Sequence, residues 1–170
     1  YTFFVSDSSS GAIKSQIFSK TVLPGTTMDL SPNSFSPDNK YRLVLWRIWD
    51  ESKPKVMYIG LNPSTANATK NDNTITKLVK VSNHNGFGGF YMLNLYSYVT
   101  PYPKELKGNW EIMDGINNKK LLEYSGKSDK IVFCWGNFKE AQEKAYELKH
   151  AFQQDAWCFK QNKNGSPKHP

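Results

Sequence analysis

The chain has 170 residues, a formal charge of +7 and a pI near 9.3; its 38% hydrophobic and 14% aromatic content is enough for one buried core and excludes a disordered chain. The longest apolar runs, Val56–Ile59 and Ile131–Trp135, are far too short to cross a bilayer, and the first residues carry no basic-then-apolar leader, which points to a soluble, cytoplasmic protein without a membrane partner. The two cysteines, Cys134 and Cys158, sit in apolar runs without metal-ligand spacing, so reduced thiols, no metal and no cofactor are expected, while the positive charge favours an anionic partner through counterion release.

Residues 1–40, rich in Ser, Thr, Pro and Gly, read as an N-terminal β-rich extension in which Thr2–Val5 and Ala12–Phe18 pair as peripheral strands. From residue 41 to residue 170 the texture is that of one domain. Tyr41–Trp49 alternates like a strand, and Lys55–Ile59 reads as a buried strand stopping at Gly60. Thr74–Val81 has helical spacing with Ile75, Leu78 and Val79 on one face. Phe90–Leu95 is a second buried strand, and Glu111–Glu123 an amphipathic helix presenting Ile112, Ile116, Leu121 and Leu122. Lys130–Trp135 is a third buried strand, Phe138–Phe152 a helix with the stripe Ala141, Ala145, Leu148 and Phe152, and Trp157–Phe159 a fourth strand. This alternation predicts a three-layer α/β/α sandwich around a mainly parallel four-stranded sheet.

Ligands of such sheets bind outside the carboxyl ends of the strands. The rule selects the loop from Gly60 through Leu61, Asn62, Pro63, Ser64, Thr65 and Ala66, then Asn94, Trp135-Gly136, and the terminal Gly165-Ser166-Pro167-Lys168-His169-Pro170.

On these residues the chain resembles the uracil-DNA glycosylase superfamily. Gly60-Leu61-Asn62-Pro63 is similar to its water-activating motif, closest to the Gly-Ile-Asn-Pro-Gly form of the mismatch-specific branch. Met92-Leu93-Asn94-Leu95 resembles the strand whose asparagine reads the flipped base, and His169-Pro170 the His-Pro-Ser motif. More narrowly, the Gly-Leu-Asn-Pro-Ser-Thr-Ala run, the Trp-Gly and the final Gly-Ser-Pro-Lys-His-Pro resemble a domain-of-unknown-function family of bacteria, phages and mobile cassettes, over roughly residues 41–170. Residues 1–40 lie outside it.

The resemblance implies a monomeric, metal-independent DNA repair glycosylase that flips a uracil, from single- or double-stranded DNA, into a pocket and hydrolyses its N-glycosidic bond. Asn62 and His169 are the catalytic candidates, Asn62 holding the water and His169 donating to O2 of the leaving base. Gly60, Leu61, Pro63, Ser64 and Asn94 are the base-binding candidates. Asn94 offers a donor and an acceptor to N3–H and O4 of uracil. The small Ser64 stands where uracil-restricted members carry a tyrosine, so a 5-substituted pyrimidine is expected to enter as well. Thr100, Lys104, Ser166, Pro167 and Lys168 are the candidate DNA contacts. An asparagine in place of the more usual aspartate predicts a slower reaction, and no aromatic is assigned to stack on the base.

The same residues permit other readings. Asn-Pro-Ser is an ordinary turn sequence, His84 and His150 read as solvated, and Trp46, Trp49, Trp110, Trp135 and Trp157 as packing residues. The rival functions are a catalytically inactive DNA- or partner-binding module and a nucleoside or nucleotide hydrolase. A Ser64–His169 nucleophile lacks an orienting acid.

Overall fold

The computed structural model describes residues 4, 5, 35, 36, 38–107 and 114–170. In chain order these form strands β1 (Phe4–Val5), β2 (Leu45–Ile48) and β3 (Lys55–Gly60), helix α1 (Asn73–His84), β4 (Gly89–Asn94), a short 3-10 turn (Pro103–Leu106), α2 (Asp114–Gly126), β5 (Lys130–Phe133), α3 (Lys139–Ala151) and β6 (Ala156–Cys158). The strands make one mixed sheet in the order β1-β6-β5-β3-β4-β2. Its centre is four parallel strands, β6, β5, β3 and β4, and antiparallel β2 and β1 close the two edges. Phe4–Val5 thus occupies the edge foreseen for Thr2–Val5, whereas Ala12–Phe18, Trp110 and Ile112 lie outside the described residues.

β3 is buried at every position because both of its faces are covered. Val56 and Tyr58 pack with Ile75, Leu78 and Val81 of α1 on one side. Met57 and Ile59 pack with Leu121 and Tyr124 of α2 and with Ala141, Ala145 and Leu148 of α3 on the other. The result is three layers. α1 is started by Asp72, whose carboxylate accepts the Ile75 N–H at 2.8 Å, a cap worth about 1 kcal/mol.

One helix turns a different face inward than its pattern suggests. In α2 the buried residues are Asn117, Leu121, Tyr124 and Ser125, while Ile116 and Leu122 are exposed. The physical reason is a specific polar tie. Asn117 Nδ2 donates to the backbone oxygens of Asn94 and Leu95 at 3.0 and 3.1 Å, which turns that side of the helix toward the end of β4. In α1, similarly, the inward positions are Ile75, Leu78, Val81 and Ser82, with Val79 half-buried beside them.

The chain runs from β3 to β4 in one direction along the sheet and then crosses back over β3 to β5 and on to β6. α1 covers one face, and α2 and α3 cover the other, as right-handed crossovers require when the direction reverses. The strand order therefore splits between β3 and β5, and a crevice opens at their carboxyl ends.

Candidate functional site

The crevice is a cavity of about 460 Å³, within the roughly 300–1,000 Å³ common for small-ligand sites. Its wall is built from the strand ends, the Leu61–Thr65 loop, the first turn of α1, the segment around Thr100, and the C-terminal segment. Gly60, Asn94 and Cys134 form its floor. Gly60 pairs in register with Asn94, and Cys134 follows directly on the Ile59–Phe133 pair, so the three lie side by side on three adjacent parallel strands.

Glycine at position 60 leaves room for the ends of two side chains, which a Cβ would force to shift. A Cβ there would lie 2.8 Å from Asn94 Oδ1 and 2.6 Å from Met92 Cε. Asn94 itself is 1% exposed, and neither its Nδ2 nor its Oδ1 has a hydrogen-bond partner. Buried amides normally have partners, which sets this one apart among the cavity's side-chain amides.

Asn62 is held differently. Its Nδ2 donates to the backbone oxygens of Pro63 at 3.0 Å and Thr100 at 2.7 Å. Because both partners are carbonyls, the NH2 end must face them, and Asn62 as a residue lines the cavity. His169 stands on the rim, its Nδ1 3.2 Å from the Pro170 oxygen. Gly136 lets it approach: the left-handed φ of +82° turns the chain off β5, its N–H donates to Pro167 O at 3.0 Å, and a Cβ would sit 3.5 Å from His169 Cβ.

Asn62, Ser64, Asn94 and His169, with Gly60 and Leu61, thus line one cavity. Pro63 is not part of its wall; its carbonyl accepts from Asn62 Nδ2 and from Thr100 N–H. The expected phosphate contacts are redistributed. Thr100 lines the cavity but is buried, and its hydroxyl donates to Glu105 Oε2 at 2.5 Å, so it is not presented to an anion. Ser166 is buried too, accepting from Asn162 Nδ2 and donating to Asn164 Oδ1. Ser166 and Pro167 line a second cavity of about 310 Å³ between α3 and the C-terminal segment, whereas Lys104 and Lys168 are exposed.

Arg42, Asp72 and Cys134 were not singled out from sequence as wall residues, and Met92 and Trp135, quoted there in the Asn94 motif and at the third strand end, were given no site role of their own. Arg42 is buried and donates from Nη1 to Ala66 O at 2.7 Å, clamping the loop that carries Asn62. Burial pulls its guanidinium down to about 10, which leaves it charged at neutral pH. Burial also pushes the Cys134 thiol up to about 12, so the floor carries a neutral thiol. Trp135 also borders the cavity, but its ring packs with Phe133 on the α2–α3 side of the sheet, opposite Cys134, with ring centroids 4.6 Å apart. The strand period of two, applied to Met92-Leu93-Asn94 and to Val132-Phe133-Cys134, is the signal that places Met92 and Cys134 on the same face as Asn94.

Among the described residues no group of three or more His, Cys, Asp or Glu side chains is placed to hold a metal ion, and no helix is long and apolar enough to cross a membrane.

Fold and cavity together define a three-layer α/β protein with a polar cavity where the strand order reverses. Residues 42–170 match the family described as Protein of unknown function (DUF1643); the match spans about three-quarters of the chain, and the chain belongs to that family. The family description states no activity and makes no link to the uracil-DNA glycosylases. No curated protein and no solved structure matches the chain.

Proposed function

We propose that the chain is a DNA glycosylase that hydrolyses the N-glycosidic bond of uracil, and of some 5-substituted pyrimidines, after the nucleotide has left the base stack. The observation that carries the reading is the pairing, on one cavity wall, of an asparagine whose amide has no protein partner with a second whose NH2 is fixed by two backbone carbonyls.

Cleavage of the bond develops positive charge on the sugar and negative charge on the departing base, and a site must meet both. In this reading N3–H and O4 of uracil bond to the two ends of the Asn94 amide. Oδ1 of Asn62 accepts a hydrogen bond from the attacking water and so positions it. The neutral imidazole of His169 donates a hydrogen bond to O2 of the base, where charge collects. Ser64 leaves the 5-position room. The +7 charge, with Lys104 and Lys168 exposed, suits a polyanionic partner.

A second reading, a binding module of the same fold, is favoured by one feature. Asp72 is the acid in the wall, and its carboxylate is engaged as the cap of α1 rather than free to steady a sugar cation. Incubation with oligonucleotides carrying uracil, thymine or 5-hydroxymethyluracil, followed by alkaline cleavage of abasic sites, separates the two. Breaks at uracil that disappear in Asn62→Ala and His169→Ala support excision. Salt-sensitive DNA binding without breaks supports the module, and neither result leaves a nucleoside or nucleotide hydrolase ahead.

A further inference from the structure

We propose that Met92 sets the size of ring that the cavity accepts: its side chain covers the amide of Asn94 and is the group that an entering base displaces. The identity of the ring rests on the glycosylase reading; the placement of Met92 does not.

Residues 92 and 94 project to the same face of β4, since strand side chains alternate. Opposite them on β3 stand Tyr58 and Gly60. One point above Gly60 lies 2.6 Å from Met92 Cε and 2.8 Å from Asn94 Oδ1, so a thioether methyl and an amide oxygen crowd the same spot. Both residues belong to the cavity wall, yet both polar atoms of Asn94 are shut off from solvent and lack a protein partner. A polar group on a cavity wall stays dry when an apolar group covers it, and Met92 Cε is the apolar group at that position. Leaving a buried amide in this condition is unfavourable, so a ligand that brings a donor beside an acceptor relieves it.

Methionine suits a cover that must give way. Its side chain is unbranched, has three rotatable bonds, and moves between rotamers at low cost. The distance it retracts then decides how large a ring, or how large a substituent on a pyrimidine, reaches Asn94. A β-branched residue of similar bulk cannot retract in the same way.

The test uses the full chain with Met92→Ala and Met92→Ile, both first checked for an intact denaturation transition. Hydrogen exchange of the Asn94 side-chain NH2, followed by NMR, is expected to quicken about tenfold or more in Met92→Ala and to stay slow in Met92→Ile. Unchanged exchange in Met92→Ala overturns the cover, whatever the protein does to DNA. In competition between thymine- and uracil-containing oligonucleotides, Met92→Ala is expected to raise the thymine-to-uracil ratio of kcat/KM by about tenfold or more, the scale of a methylene in an apolar pocket, and Met92→Ile to lower it. An unchanged ratio with uracil still released overturns the sizing role and leaves the glycosylase reading standing. Release of no base by the unaltered chain overturns the glycosylase reading instead, and the exchange rates then decide for or against Met92.

Discussion

Two positions on the α1 face of the sheet, one residue pair apart, treat a buried polar group in opposite ways. At Tyr58 the hydroxyl is 2.9 Å from Ser82 Oγ on α1, and the ring packs against Phe90 and Phe159. At the next pair along, Gly60 and Asn94, the helix has given way to its own first turn and the amide is left with nothing. The same strands therefore serve as core at one end and as site at the other. Asn117 reinforces the lesson. It is as deeply buried as Asn94, but its NH2 bonds twice to the end of β4, so only its Oδ1 lacks a partner where Asn94 lacks one at both ends. A buried polar group without partners, placed on a cavity wall, is the mark of a site that a ligand completes.

That contrast is broken most severely by Gly60→Ala. The added methyl collides with Asn94 Oδ1 and Met92 Cε. We expect base release to fall about a hundredfold through misplacement of the reading group, with a stability loss of about 1–3 kcal/mol in urea denaturation. The control is Gly115→Ala in α2, where a Cβ meets nothing within 4 Å, and neither quantity should fall.

The floor thiol gives the next effect. Burial holds the folded Cys134 thiol at about 12, above its ordinary value of 9.0. Below pH 9 it is protonated in both states and contributes no pH dependence. As pH climbs from 9 toward 12 the unfolded thiol ionises first, the unfolded state binds fewer protons than the folded one, and stability falls. Cys134→Ala should flatten that part of the alkaline slope in a series of denaturation curves, leaving the part due to Tyr58, whose hydroxyl burial also pushes up.

The smallest expected effect lies at the core end. Tyr58→Phe removes the bond to Ser82 and should cost about 1 kcal/mol of stability with no change in base release. A Tyr58→Phe chain that folds normally but loses base release would erase the division between the two ends.

The difference in partner satisfaction also explains what was legible beforehand. The parallel strands were readable because burial on both faces makes them continuous apolar runs, and α3 because its alanine, leucine and phenylalanine stripe follows the helical period. α2 was misread at Ile116 and Leu122 because its orientation is decided by Asn117, and one hydrogen-bonded amide leaves no periodic trace. At the site, Asn62, Ser64, Asn94 and His169 were found by the rule that loops after parallel strands meet at one rim. Ser166 was read as a phosphate contact from the Ser-Pro loop of the resembling superfamily, and Thr100 as a second one; here Glu105, Asn162 and Asn164 hold their hydroxyls inside the fold, which one residue's type and neighbours do not reveal. Arg42 and Asp72 escaped notice because neither sits on a strand-end loop of the parallel centre: one precedes edge strand β2, and the other caps a helix.

The central claim is that the Asn94 amide is the receptor for a pyrimidine edge. Titrating the 15N-labelled chain with free uracil and following its side-chain NH2 resonances tests that most directly. The account predicts that the Asn94 pair shifts strongly and saturably while the Asn117 pair stays in place to within a small secondary change. Saturation that leaves the Asn94 pair unmoved, or no binding at any accessible uracil concentration, would contradict it.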